Sequence, residues 1–194
     1  LLLMLAVLGV GFGYVLAAHE RAQKQLHHLA TRDPLTGCRN RRRLDQIMNA
    51  ELARLRRGGA VLSFMVIDLD NFKVLNDAQG HAVGDAALKH VVRLLKQRLR
   101  TTDKLARMGG EEFGVVLPST DAVGALQVAA QLRQALHDTP MLLADGSPHT
   151  LTASIGIVTL PSGSDANRHA VYEAADKAMY EAKRGGKDGA RASG

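Results

Sequence analysis

Aromatic residues make up only 4% of the chain and Trp is absent, so any core must be mostly aliphatic. The single cysteine, Cys38, excludes an intrachain disulfide and a CxxC-type metal site. No Asn-x-Ser/Thr sequon occurs, and both absences fit the cytoplasm. Five Pro and 19 Gly exclude a collagen-like or Pro-rich disordered chain. There is no internal repeat. There is also no GxxxxGK[ST] loop, so any phosphate must be held in another way. What remains is an ordinary globular balance: 194 residues, 46% apolar and 23% charged, enough for one domain with an appendage. Lys and Arg number 25 against 19 Asp and Glu, a net charge of +6. That excess suits nucleotides, nucleic acid or an anionic membrane face. Without aromatic stacking platforms or a recognisable motif, a nucleic-acid-binding module is set aside.

Residues 1–18 contain no charged residue, and Glu20 is the first. The run approaches the ~20 residues a helix needs to cross a bilayer, so it is expected to be the end of a transmembrane helix. The alternatives are a signal peptide, with Val15-Leu16-Ala17 resembling a cleavage site, and a buried soluble helix. Arg21, Lys24, His27, His28 and Arg32 follow, and positive charge at a membrane border marks the cytoplasmic side. Residues 19–32 form a helical linker or stalk. Val15, His19, Ala22, Leu26 and Leu29 alternate in steps of four and three, as in a parallel coiled-coil seam or on one side of a solvated helix.

The soluble part starts at Asp33-Pro34-Leu35-Thr36-Gly37, a Pro/Gly break. Asn40 is suited to cap a helix running to about Arg57, with Leu44, Ile47, Met48, Leu52 and Leu55 on its apolar face. Residues 60–67 are almost continuously apolar, the mark of a strand buried on both faces. Helices are predicted over about 84–99, 121–137 and 166–183. A strand is predicted over 150–158, and a hairpin turns at Gly109-Gly110. The fold class is therefore α+β, a sheet with helices packed on it.

Four clusters carry chemistry. Asp68 and Asp70 close the apolar strand and, two residues apart, point the same way; paired carboxylates suit Mg²⁺, while solvated strand ends would look the same. Met108-Gly109-Gly110-Glu111-Glu112-Phe113 places acids at a tight turn, as metal ligands or as an ordinary acidic tip. Asn76-Asp77-Ala78-Gln79-Gly80-His81 with Gly84-Asp85 offers groups able to read a guanine edge, or simply favours turns. Lys183-Arg184-Gly185-Gly186-Lys187 follows the last helix, either to neutralise phosphates or to complement the helix dipole.

Together with Asn40-Arg41-Arg42, Ser154-Ile155-Gly156 and Ala175-Asp176-Lys177-Ala178-Met179-Tyr180-Glu181-Ala182-Lys183, these motifs occur in one order. From Asp33 to near Arg191 the chain closely resembles the GGDEF domain of bacterial diguanylate cyclases, with a GGEEF signature. The resemblance implies a palm-like central sheet related to nucleotidyl cyclases and polymerases, spanning residues 33–194. It implies condensation of two GTP into cyclic di-GMP with release of two pyrophosphates, by a homodimer. Asp68, Glu111 and the Leu69 carbonyl would hold Mg²⁺ or Mn²⁺, and Glu112 would be a further ligand or an acid–base group. Asn76 and Asp85 would bind guanine, Phe72 and Lys73 would cradle phosphates, and Lys183 and Lys187 would hold the outer phosphates. Arg100 and Asp103 match the RxxD site through which the product inhibits the family. Lys187-Asp188 stands where Arg-Asn is usual, and Cys38, where an apolar residue is usual, is expected simply to pack. The expected location is the inner membrane with the catalytic domain in the cytoplasm. A non-catalytic receptor for cyclic di-GMP is the alternative function.

Overall fold

The computed structural model describes residues 31–193. The expected membrane span over 1–18, and the linker as far as residue 30, lie outside them. Among the described residues no helix is long and apolar enough to cross a membrane. In chain order the elements are β1 (Arg39–Asn40), α1 (Arg41–Arg56), β2 (Leu62–Leu69), α2 (Phe72–Gln79), α3 (His81–Arg98), β3 (Lys104–Gly109) and β4 (Glu112–Pro118). Then come α4 (Ala122–Asp138), β5 (Met141–Leu142), β6 (Pro148–His149), β7 (Ala153–Leu160), α5 (Arg168–Arg184) and β8 (Ala190–Ala192).

The main sheet has the order β1-β3-β4-β2-β7-β8. Its central strand, β2, is antiparallel to β4 and β7, while the short edge strands β1 and β8 run parallel to their neighbours. Alternation along β2 builds two cores. Leu62, Phe64 and Val66 face Leu44, Met48 and Leu52 of α1 and Tyr172, Ala175 and Met179 of α5. Met65, Ile67 and Leu69 face Leu88, Val91 and Leu95 of α3 and Ala129, Leu132 and Leu136 of α4. Helices on both faces bury every residue of β2, and this is why the strand reads as an almost continuous apolar run as far as Asp68. Its one small polar residue, Ser63, donates to the Thr120 carbonyl at 2.8 Å. Cys38 is 1% exposed and belongs to the second core.

Helix starts follow local chemistry. The side chains of Asn40, Asp121 and Asn167 accept hydrogen bonds from the N–H groups of Arg43, Gly124 and Ala170. The chief departure from expectation lies between residues 72 and 83. There the chain forms α2 and the first turn of α3, broken by Gly80 at φ 84°, where the sequence predicts no element and turns are only one reading of residues 76–85. An eight-residue helix spans barely two turns, too short for a 3.6-residue period to stand out. The strand expected over 150–158 and the helix over 166–183 shift to Ala153–Leu160 and Arg168–Arg184.

Helix α5 lies against β7 at Gly156, where a Cβ would stand 1.9 Å from the Ala175 carbonyl oxygen and 2.3 Å from the Met179 nitrogen. Both are backbone atoms and cannot rotate aside. Gly156→Ala is expected to cost about 3 kcal/mol or more, read as a drop in the midpoint of denaturant unfolding.

Candidate functional site

Beyond Ile67, β2 passes from core to carboxylate. Asp68 continues the α1/α5 face and lies opposite Glu112 of β4 and Ser154 of β7. Two acids placed directly across an antiparallel pair repel each other, an arrangement a sheet does not adopt for stability. Asp68 is only 6% exposed. Burial pushes its carboxyl above the usual range; Lys183 opposes the shift, and the charges of Glu111 and Asp70 add to it. Burial likewise raises Glu112, helped by Asp68, Asp176 and Glu111. Lys183 Nζ, from the end of α5, pairs with Asp68 Oδ1 at 2.8 Å, and no other group among the described residues bonds that oxygen. A buried anionic oxygen answered by a single ammonium, beside two further acids, fits a divalent cation.

Glu111 sits in the turn between β3 and β4. Gly110 adopts φ 50°, and the strand register slips between Arg107 and Gly109. Arg107 fastens this turn: its Nε donates to the Gly110 carbonyl at 2.9 Å, and its Nη1 meets Asp33 Oδ2 at 3.2 Å. Asp33 also accepts from the Thr36 N–H and hydroxyl, at 2.8 and 2.6 Å. Burial alone would raise the Asp33 carboxyl, but these bonds and the Arg107 charge hold it below the usual range. The Leu69 N–H reaches the Glu111 carbonyl at 3.4 Å, so the turn closes onto the end of β2. Asp68, Leu69 and Glu111 are thus gathered at one sheet end, though no trio of His, Cys, Asp or Glu among the described residues is already grouped as a metal cage. Mg²⁺ asks for less, since one or two carboxylates and substrate phosphates suffice.

Asp70 departs from the reading of it as a paired ligand. It lies beyond the last residue of β2 and accepts from Ser154 Oγ at 2.7 Å, Thr152 Oγ1 at 2.9 Å and the Asp188 N–H at 2.9 Å. With its oxygens already engaged, it is a structural tie.

Past Asp70 the chain turns through Asn71 in the left-handed region, at φ 57°, into α2. Asn tolerates that conformation better than most residues. Asn71 makes no side-chain cap, so the N–H groups of the first turn, around Phe72 and Lys73, face a position suited to an anion. Phe72 is buried and Lys73 exposed. Lys187 Nζ reaches Asn71 Oδ1 at 2.6 Å, placing a second cation at this helix start. Asn76 lies on the last turn of α2 and Asp85 near the start of α3. The two helices meet where the Asn76 side chain lies on Gly84; a Cβ there would stand 1.8 Å from Asn76 Oδ1. Asn76 and Asp85 therefore flank one junction.

Arg100 and Asp103 form the turn between α3 and β3. The Arg100 N–H donates to Asp103 Oδ2 at 2.8 Å, and the Asp103 N–H to the Arg100 carbonyl at 3.1 Å. The Arg100 side chain is exposed. The six-residue strand β3 runs from this turn to Gly109 at its end, about 20 Å at the usual rise of a strand. Sequence reasoning missed the roles of Asn71 and Asp188. For Asn71 a signal existed, an Asn directly after a strand end.

A mixed sheet brings one buried carboxylate opposite a Gly-Gly hairpin bearing two more acids, beside an uncapped helix start. The chain belongs to the family of diguanylate cyclase GGDEF domains, which it matches over residues 30–189. It is 42% identical over 172 residues to the diguanylate cyclase DgcP of Pseudomonas aeruginosa, covering 89% of this chain and 25% of that protein. It is 35% identical over 161 residues to the response regulator PleD of Caulobacter vibrioides, covering 82% of this chain and 35% of that protein. The chain therefore spans a quarter to about a third of these relatives. Among solved structures, the coiled coil and GGDEF domain of DgcB from Caulobacter crescentus, in complex with c-di-GMP, superposes with a TM-score of 0.87 at 28% identity. It covers 96% of this chain and 97% of that one. The active GGEEF domain of a diguanylate cyclase from Vibrio cholerae gives 0.73 at 32% identity, covering 81% and 97%.

Two substitutions probe this geometry. Because the net effect of its surroundings disfavours the charged Asp68, Asp68→Asn is expected to raise the melting temperature of the metal-free protein by a few degrees at pH 7. Mg²⁺ should raise the melting temperature of the parent protein and leave that of the variant unmoved. Gly84→Ala favours the helix backbone but evicts the Asn76 amide. It is expected to leave the fold intact and weaken guanine-nucleotide binding by about tenfold, measured by titration calorimetry.

Proposed function

We propose that this chain is a diguanylate cyclase domain that condenses two GTP into cyclic di-GMP and releases two pyrophosphates. The observation that carries the reading is the buried Oδ1 of Asp68, met by the Lys183 ammonium alone and crowded by Glu111 and Glu112, directly before an uncapped helix start.

Each domain holds one GTP. Asn76 and Asp85 take the guanine edge; an Asp accepts from the N1–H and N2–H₂ pair, which adenine lacks. The first-turn N–H groups at Phe72 and Lys73 receive the phosphates, with Lys183 and Lys187 neutralising the outer ones. Asp68, the Leu69 carbonyl and Glu111 would hold Mg²⁺ or Mn²⁺, which would neutralise the leaving pyrophosphate and acidify the attacking hydroxyl. Lys183, 2.8 Å from Asp68, brings a cation to the same sheet end. Glu112, opposite Asp68 and with its carboxyl raised by burial, serves as a further metal ligand or as the acid–base group for the incoming 3′-hydroxyl. The protein contributes mainly position and charge.

One domain with one GTP offers only half of the product, so two chains face each other about a twofold axis. The linker over 19–32 pairs the domains, and the uncharged run 1–18 tethers them to the inner membrane, leaving the catalytic domain in the cytoplasm. Arg100 and Asp103, remote from the carboxylates, form the site where the product inhibits. A non-catalytic receptor would have no need of the crowded acids at Asp68 and Glu112.

Residues 19–194 incubated with Mg²⁺ should convert GTP and not ATP to cyclic di-GMP, followed by chromatography of the products. Asp68→Ala and Glu111→Ala should each lower turnover by at least ~100-fold while the circular dichroism stays native. Equal turnover of ATP would overturn the guanine assignment.

A further inference from the structure

Two consecutive residues with side chains, Lys187 at φ 63° and Asp188 at φ 40°, adopt the left-handed conformation in the loop between α5 and β8. Side-chain-bearing residues hold such a conformation only where their surroundings over-determine it, and such places cluster at functional sites. The surroundings here are explicit. The Asp188 N–H donates to Asp70 Oδ2 at 2.9 Å. The Asp188 carboxylate accepts from Arg133 Nε at 3.0 Å and pairs with His137 Nε2 at 2.7 Å, both on α4. Burial would raise this carboxyl, but Arg133 and His137 hold it below the usual range, so it is charged at neutral pH. On the far side, the Gly189 carbonyl accepts from the Ile155 N–H at 2.8 Å. The loop is thereby strapped to α4, to the end of β2 and to β7.

The strap has one outward consequence. Lys187, whose own N–H donates to the Ala182 and Lys183 carbonyls at 3.2 Å, is held between the end of α5 and this strap, and its Nζ reaches Asn71 Oδ1 at 2.6 Å, at the start of α2. A lysine on a free loop would spread its ammonium over many positions, and it lacks the forked grip by which an arginine fixes itself to a phosphate. Here the neighbouring residue supplies the missing precision through its ties to α4.

We propose that Asp188 is a positioning residue, which ties its loop to Arg133 and His137 of α4 and so aims Lys187 at the terminal phosphates of the nucleotide bound at the start of α2. This rests on the functional reading above. Asp188 touches no substrate; it acts through Lys187, and Arg133 acts through Asp188.

The test is a double-mutant cycle read in steady-state kinetics with GTP and Mg²⁺, alongside calorimetric binding of a non-hydrolysable GTP analogue. Asp188→Ala and Arg133→Ala should each raise KM and the analogue's Kd by about tenfold, with kcat within about twofold of the parent. Lys187→Ala should weaken binding to the same degree, and Lys187→Ala combined with Asp188→Ala should be no worse than Lys187→Ala alone. Asp188→Asn, which keeps a side-chain oxygen to accept from Arg133 but loses the charge, should fall between. Additive losses in the double variant, or a fall in kcat at unchanged KM, would overturn the proposal. If Asp188→Ala unfolds, the cycle between Arg133→Ala and Lys187→Ala decides by the same criterion. A parent protein that makes no cyclic di-GMP would sink the functional reading itself. An active parent whose Asp188→Ala and Arg133→Ala variants keep the parental KM would sink only this inference.

Discussion

The structure turns on one costly placement, a carboxylate at the end of a strand buried on both faces. Asp68 continues a row of core side chains, Phe64 and Val66, and faces Glu112 across the ladder. Desolvation and like charge both work against its ionised form. In a domain built only for stability this position would be apolar. Everything nearby answers the placement: Lys183 at the end of α5 brings a cation to Asp68, and Arg107 and Asp33 hold the Glu111 turn shut. A cation from solution and a polyphosphate would complete the charge balance that the chain leaves open.

The cores exist to hold that sheet end still. With α1 and α5 on one face and α3 and α4 on the other, β2 cannot slide or rotate, so its terminal residues are aimed by packing. Glycine enters where approach must be close. Gly156 lets α5 sit on β7, which carries Lys183 to the sheet end, and Gly84 makes room for the Asn76 amide between α2 and α3. In both cases one missing methyl group on a packed surface sets the position of a polar group elsewhere.

The polar ties divide in the same way. Asp70 looks like a twin of Asp68 in the sequence, yet its oxygens are engaged by Thr152, Ser154 and the Asp188 N–H. Two carboxylates two residues apart thus have opposite fates: one saturated and structural, the other met only by the Lys183 ammonium. The difference lies in the partners that β7 and the loop after α5 bring to each.

Much was legible from residues alone. The apolar run before Asp68 announced a strand buried on both faces, Asn40 announced a helix start, and Gly109-Gly110 announced a hairpin, because each depends on a preference expressed within a few residues. The ordered motifs pointed to the family, and most of the candidate site fell within them. Three things belong to the tertiary structure: the saturation of Asp70, the short helix α2 with its uncapped start, and the strap from Asp188 to Arg133 and His137. Each pairs groups far apart in the chain: Asp70 with Ser154, Lys187 with Asn71, Asp188 with Arg133. A sequence determines the charge and hydrogen-bonding capacity of every side chain, but which donor meets which acceptor is decided only when the sheet and its helices set their distances.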